Sequence, residues 1–220
     1  MENRQNFSRQ FRYYLKSDIA KFFDSIDHAT LKDLLRRIFK DEKLLVLLDT
    51  IIDHKVPGSG FGCGLPIGNL TSQHFANFYL GELDHFIKDR KSIKGYVRYM
   101  DDFISFANDK GSLHQLLSEV RLFVKEYLKL GLKESVTTIA PVTEGVPFLG
   151  FRVFPGIIRI KRENLIRMNK KIKNKENLYL KGIITEAELA QSVSSVVAHV
   201  SHVNSLAVRR RIFKKSLKLA

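Results

Sequence analysis

The chain has 220 residues and is 44% hydrophobic, which excludes a disordered protein and allows one or two domains with a real core. A formal net charge of +14 and a sequence pI of about 9.9 favour a polyanionic partner. The only cysteine, Cys63, excludes an internal disulfide and a cysteine-built metal site. No run approaches the roughly 18 apolar residues of a membrane span, and no secretory pattern opens the chain, so no membrane and a cytoplasmic location are expected.

In chain order, Tyr13 to Ile19 reads as a strand with Tyr14, Lys16 and Asp18 on one face and Leu15, Ser17 and Ile19 on the other. Asp27 then reads as the N-cap of a helix carrying Leu31, Leu34, Leu35 and Ile38 at helical spacing. A second helix is expected over about Glu42 to Asp53, broken by the loop Pro57 to Gly64. Leu65 to Gln73 leads into a helix with Phe75, Phe78, Tyr79, Leu83 and Phe86, where Ser72 is a candidate cap. Gly95 to Ala107 is a hairpin with Met100-Asp101-Asp102 at its turn. An amphipathic helix over about Ser112 to Leu130 follows. Short strands come next, around Val136 to Val142, Val146 to Val153 and Ile157 to Ile160, with a turn at Pro155-Gly156. The remainder, Arg162 to Ala220, reads as three helices, the first two separated at Gly182. From Lys161 onward there are 14 Lys or Arg against 4 Glu, which is +10 of the +14. The order predicts an α+β fold, an antiparallel sheet with helices on one face, over residues 1–160. A basic helical domain is expected over 161–220.

Adjacent acids are common in turns, so Asp101 and Asp102 alone are equally well read as turn residues. Asp18 shifts that balance, because it closes an apolar strand where Asp is disfavoured. Acids on neighbouring strands are costly together unless a cation lies between them. Carboxylate oxygens suit magnesium, and two ions about 4 Å apart clamp the attacking and leaving oxygens of a phosphoryl transfer.

Tyr99-Met100-Asp101-Asp102 resembles the YxDD signature of reverse transcriptases. Ser17 to Ile26 (SDIAKFFDSI) resembles their first catalytic motif, 83 residues earlier counted from Asp18 to Asp101. The resemblance extends from about Tyr13 to Phe213. It implies a catalytic palm over 1–160 with a residual fingers connection, and a thumb over 161–220 that binds nucleic acid. It further implies an RNA-directed DNA polymerase with two Mg2+ ions, for which Mn2+ is a substitute. Asp18, Asp101 and Asp102 match the family's catalytic acids, and the carbonyl of Ile19 completes one metal shell. Lys21 and Phe22 fall where backbone amides meet the deoxynucleoside triphosphate. Phe23 matches the aromatic steric gate under the sugar; without the motif it reads as a core aromatic. Template RNA, a DNA primer and its product are the implied partners.

Leu65 to Gln73 (LPIGNLTSQ) has Ile67 and Gln73 where most bacterial members have Gln and Pro. It resembles the diversity-generating retroelement type, in which this motif is associated with error-prone copying and a basic accessory protein is a partner. Gly68 and Gln73 would lie beside the nascent pair. Phe148-Leu149-Gly150 resembles the primer grip, or reads as a plain hydrophobic hairpin. Arg209, Arg210, Arg211, Lys214 and Lys215 would contact duplex phosphates, or form a solvated helix face. His199 and His202 lack a third ligand and are read as packing or phosphate contacts. Two departures from the family stand out. The fingers region upstream of Asp18 is expected to be largely missing, and Lys16, Arg12 and Arg9 lie too close to the strand to replace it. Lys133 is the nearest match to the lysine that family members place before the grip. The alternatives are a phage-defence or other bacterial reverse transcriptase, and an inactive nucleic-acid-binding fragment.

Overall fold

The computed structural model describes residues 2–54 and 60–201. These fall into two compact units, one within Phe11–Pro141 and the other made of residues 2–10 and 142–201.

In the first unit, β1 (Tyr13–Asp18), β2 (Gly95–Tyr99), β3 (Asp102–Ala107) and β4 (Thr138–Pro141) make an antiparallel sheet in the order β2-β3-β1-β4. The helices of this unit are α2 (Phe22–Ser25), α3 (His28–Ile38), α4 (Glu42–Ile52), α5 (Leu70–His85) and α6 (Lys110–Glu126). Strand alternation turns Leu15 and Phe103 onto the helices, where they are fully buried with Leu31, Leu35, Tyr79, Leu83, Leu116 and Val120. Tyr79 is accommodated in this apolar layer because its hydroxyl donates to the Leu128 carbonyl at 2.6 Å. The expected α+β layering, with helices packed on an antiparallel sheet, is therefore found. Among the described residues no helix is long and apolar enough to cross a membrane.

Asp27 caps α3 as its sequence position predicts. Its carboxylate accepts from the Thr30 amide at 2.8 Å and from the Thr30 hydroxyl at 2.6 Å. Asp27→Ala is expected to cost about 1 kcal/mol, read as a fall of roughly 2–4 °C in the thermal midpoint. An unchanged midpoint would show that the cap carries no stability.

The helix expected to reach Leu130 stops at Glu126. Tyr127 donates its amide to Phe123, and Leu130 donates back to Val124 at 3.0 Å across Lys129, whose φ is +53°. That is a left-handed C-terminal closure without the usual glycine. Leu128 and Leu130 stay buried, so the apolar period continues past the end of the helix.

The second unit contains α1 (Glu2–Gln10), a three-stranded antiparallel sheet β5-β6-β7 (Val146–Phe148, Phe151–Phe154, Ile157–Ile160), α7 (Arg162–Leu180) and α8 (Glu186–Ser201). Helix α1 lies against β6, and the buried Ser8 hydroxyl donates to the Phe154 carbonyl at 3.4 Å. Helices α7 and α8 meet through Ile172 and Val196, flanked by Met168 and Val193. The third predicted tail helix lies outside the described residues.

Candidate active site

Strand register sets the site. Asp18, the last residue of β1, stands opposite Asp102, the first residue of β3, and Asp102 also faces Tyr99 on β2. Met100 and Asp101 are the two residues of the hairpin turn, and Met100 has φ +56°. The three acids are half-buried. Burial, then the carboxylates of Asp101 and Asp102, push the Asp18 carboxyl up to about 6, and a hydrogen bond with Asp101 adds to this while Lys133 opposes it.

Lys16 lies two residues before Asp18 on the same strand face, and its ammonium donates to the Asp102 carboxylate. Asp102 is thus partly neutralised within the protein, whereas Asp18 and Asp101 crowd each other. Lys133 enters beside them: its amide donates to the Asp18 carbonyl at 2.8 Å. The isolated bridge between Ile19 and Leu132 uses the Ala20 amide and the Asp18 carbonyl. Alternation therefore turns the Ile19 carbonyl to the other edge of the strand, the β3 side.

Two crowded carboxylates and a nearby carbonyl are hard oxygen donors. Magnesium binds through one or two carboxylates together with substrate phosphates, so these residues fit it. Among the described residues, no three His, Cys, Asp or Glu side chains gather into one metal-holding group, so backbone carbonyl and water or phosphate oxygens would complete the shell.

Beyond the acids, Lys21 precedes α2 at φ +46°, Phe22 is buried, and Phe23 is half-buried with its ring 5.5 Å from that of Phe22. The Phe23 carbonyl accepts the Leu65 amide at 2.8 Å, and the Ile26 carbonyl accepts the Gly64 amide at 2.9 Å. These bonds bring the Phe23 and Gly68 segments together. Gly68 has φ +101° with open space around it, so backbone conformation rather than crowding demands glycine there. Gln73 is exposed in the first turn of α5. The N-cap of that helix is Asn69, and Ser72 lies inside it, buried, rather than capping it.

Phe148 and Phe151 pair across β5 and β6, and Leu149-Gly150 make the turn with φ +43° and +84°. Positive φ at both turn residues is the tight hairpin form that matches strand twist. Gly150 is held from outside the hairpin, its carbonyl accepting the Asn164 side-chain amide at 3.0 Å and the Lys161 amide at 3.1 Å. Leucine is a poor residue for this conformation, and Leu149 is 44% exposed. Leu149→Asn is expected to raise stability by roughly 1 kcal/mol in thermal unfolding; a loss would mean that Leu149 packing outweighs its backbone strain. Arg209, Arg210 and Arg211 lie outside the described residues, as do His202, Lys214 and Lys215.

A family model described as "Reverse transcriptase (RNA-dependent DNA polymerase)" matches residues 2–153, and the chain belongs to this family. It is 25% identical to the group II intron-encoded protein LtrA of Lactococcus lactis subsp. cremoris, over 74% of this chain and 38% of that protein. It is also 25% identical to the retron Ec73 reverse transcriptase of Escherichia coli, over 88% of this chain and 63% of that one. The chain thus spans less than two thirds of either relative. The fold is shared with telomerase from Candida tropicalis, at TM-score 0.56 and 12% identity over 90% of this chain and 40% of that structure. Enzymes of this family use divalent metal ions.

Proposed function

We propose that the chain is the polymerising part of an RNA-directed DNA polymerase of the diversity-generating retroelement type. It adds deoxynucleotides to a primer 3′-hydroxyl on an RNA template. The observation that carries this is the Asp18 carboxyl, held beside Asp101 at the end of paired strands and pushed up to about 6 by burial and by its acidic neighbours. Asp18, Asp101, Asp102 and the Ile19 carbonyl would hold two Mg2+ ions, or Mn2+. When bound, the ions neutralise the triphosphate and lower the pKa of the attacking hydroxyl.

The chain's own groups do the positioning. The Lys21 and Phe22 amides face the deoxynucleoside triphosphate. Phe23 lies under the sugar, and Gly68 and Gln73 lie beside the nascent pair. Phe148, Leu149 and Gly150 grip the primer, and Arg209, Arg210 and Arg211 hold duplex phosphates. Lys133 supplies a cation near Asp18 for the leaving pyrophosphate. Residues 1–160 act as palm and 161–220 as thumb. Ile67 and Gln73 support the retroelement assignment, with a basic accessory protein as partner. The intron and retron relatives support a second reading, a reverse transcriptase of another bacterial type.

Primer extension with an RNA template, a DNA primer, deoxynucleotides and Mg2+ tests the reading. Extension that disappears in Asp101→Ala is expected. Absent extension with duplex binding intact would leave a binding protein instead. Phe23→Ala is expected to reduce discrimination against ribonucleotides by roughly 10- to 100-fold, measured as the ratio of kcat/KM for the two sugars. An unchanged ratio would remove Phe23 from the sugar site.

A further inference from the structure

We infer that Arg98, clamped by Asp84 and Asn77 of α5, is a positioning residue for the acidic turn. This rests on the reading of Asp101 as a metal ligand. Arg98 sits on β2 with its side chain 11% exposed. All five of its N–H donors have acceptors. Nε donates to Asp84 Oδ1 at 2.7 Å and Nη2 to Asp84 Oδ2 at 2.6 Å, a bidentate fork. Nη2 also reaches the Asn77 carbonyl at 3.4 Å, and Nη1 reaches Asn77 Oδ1 at 3.3 Å. The remaining donor of Nη1 meets the Met100 carbonyl at 2.9 Å. Tyr96 donates its hydroxyl to the same Asp84 oxygen at 2.8 Å, fixing the carboxylate from a second side.

The Met100 carbonyl matters because of where it stands. Met100 holds φ +56°, a left-handed conformation that a methionine adopts only when its surroundings impose it. Its carbonyl shares a planar peptide unit with the Asp101 amide. Fixing that oxygen fixes the plane, and with it the direction in which Asp101 leaves the backbone. Asn77 and Asp84 are seven residues apart, two turns along one face of α5, and Gln73 lies in the first turn of the same helix. The acidic turn is thereby tied to the helix that begins at the Gly68 motif. Lysine at position 98 would keep the charge but could not make a planar fork to Asp84 and reach the carbonyl together.

The test compares wild type, Asp101→Ala, Arg98→Lys and Asp84→Asn. Its readouts are primer extension, thermal midpoint and Mn2+ binding to the nucleic-acid-free protein by calorimetry. Wild type is expected to bind Mn2+ in an Asp101-dependent manner. Arg98→Lys is expected to weaken Mn2+ binding about 10-fold and lower kcat about 10- to 100-fold, with KM for the deoxynucleotide within about twofold. Asp84→Asn, which keeps the side-chain shape, is expected to act in the same direction, and it carries the test should Arg98→Lys fail to fold. A lowered midpoint with kcat and Mn2+ affinity unchanged overturns the proposal, leaving Arg98 as a brace between strand and helix. Mn2+ binding that does not depend on Asp101 overturns it too. If wild type binds Mn2+ through Asp101 and Arg98→Lys weakens it, but wild type extends no primer, positioning stands and the polymerase reading falls.

Discussion

Asp101→Asn is expected to lower primer extension at least about 10³-fold, because it removes one of two crowded carboxylates whose metal supplies several kcal/mol of transition-state stabilisation. The substitution keeps the shape of a turn residue that is only half-buried, so the fold is expected to persist. Asp102→Asn is expected to cost much less, on the order of 10-fold, although it is the adjacent residue and removes the same kind of carboxylate. The reason is Lys16: the Asp102 carboxylate already accepts from that ammonium, while Asp18 and Asp101 face each other. Steady-state kcat for the two variants beside wild type decides the ranking. Equal losses would mean that Asp102 leaves Lys16 when substrate binds and ligates metal as directly as Asp101, rather than as the weaker third ligand. A larger loss for Asp102 would displace Asp101 from its assigned role.

The site is legible in the sequence where chemistry and local periodicity coincide. The hairpin around Met100 is readable because its arms alternate and its turn carries acids, and Asp27 because an N-cap is a local device. Asp18 can be matched to Asp101 only through the motif spacing; the register that sets it opposite Asp102 is a long-range fact. Arg98 carries a signal of its own, a guanidinium in an otherwise aromatic and aliphatic strand arm, but the acceptors that clamp it from α5 lie 14 and 21 residues back in the chain. Lys16 is visible as a cation on the Asp18 face, yet its partner is 86 residues away. Helix α1 has a polar sequence with no apolar period, so only its contact with β6 identifies it. The end of α6 escapes the sequence pattern because Lys129 takes the conformation in which glycine is the usual marker. The same distance effect applies to β5, β6 and β7: they follow β4 directly in the chain, yet they form a sheet of their own in the unit that also contains α1.

The second large effect concerns stability. Asp18→Asn is expected to stabilise the metal-free protein at pH 7.5 while abolishing primer extension. The folded Asp18 carboxyl titrates near 6, raised from an ordinary 3.8 by burial and then by the neighbouring carboxylates. A carboxyl that binds its proton more tightly in the folded state contributes stability that is fully present below about pH 4. That contribution is lost as pH rises through about 6. A tenfold change in proton affinity corresponds to about 1.4 kcal/mol, and because Asp18 is only half-buried, screening reduces the total to about 2 kcal/mol. In a chain of this size that is roughly 4–8 °C in the thermal midpoint. Asn cannot ionise, so the variant escapes the penalty: the two proteins should melt together near pH 4 and separate progressively to pH 7.5. The exposed acids held low by lysine, arginine or amide partners, such as Asp53 and Glu134, titrate alike in both proteins and cancel in the difference. Added Mg2+ should raise the wild-type midpoint at pH 7.5 and leave the variant unmoved, because only the wild-type folded state offers the ion its crowded oxygens. A variant that melts lower than wild type at pH 7.5 without metal would show that the carboxylates are not in conflict. The electrostatic basis for a cation site at Asp18 and Asp101 would then be gone. The expected opposite sign identifies a site that sacrifices stability in the empty protein and recovers it by binding a cation.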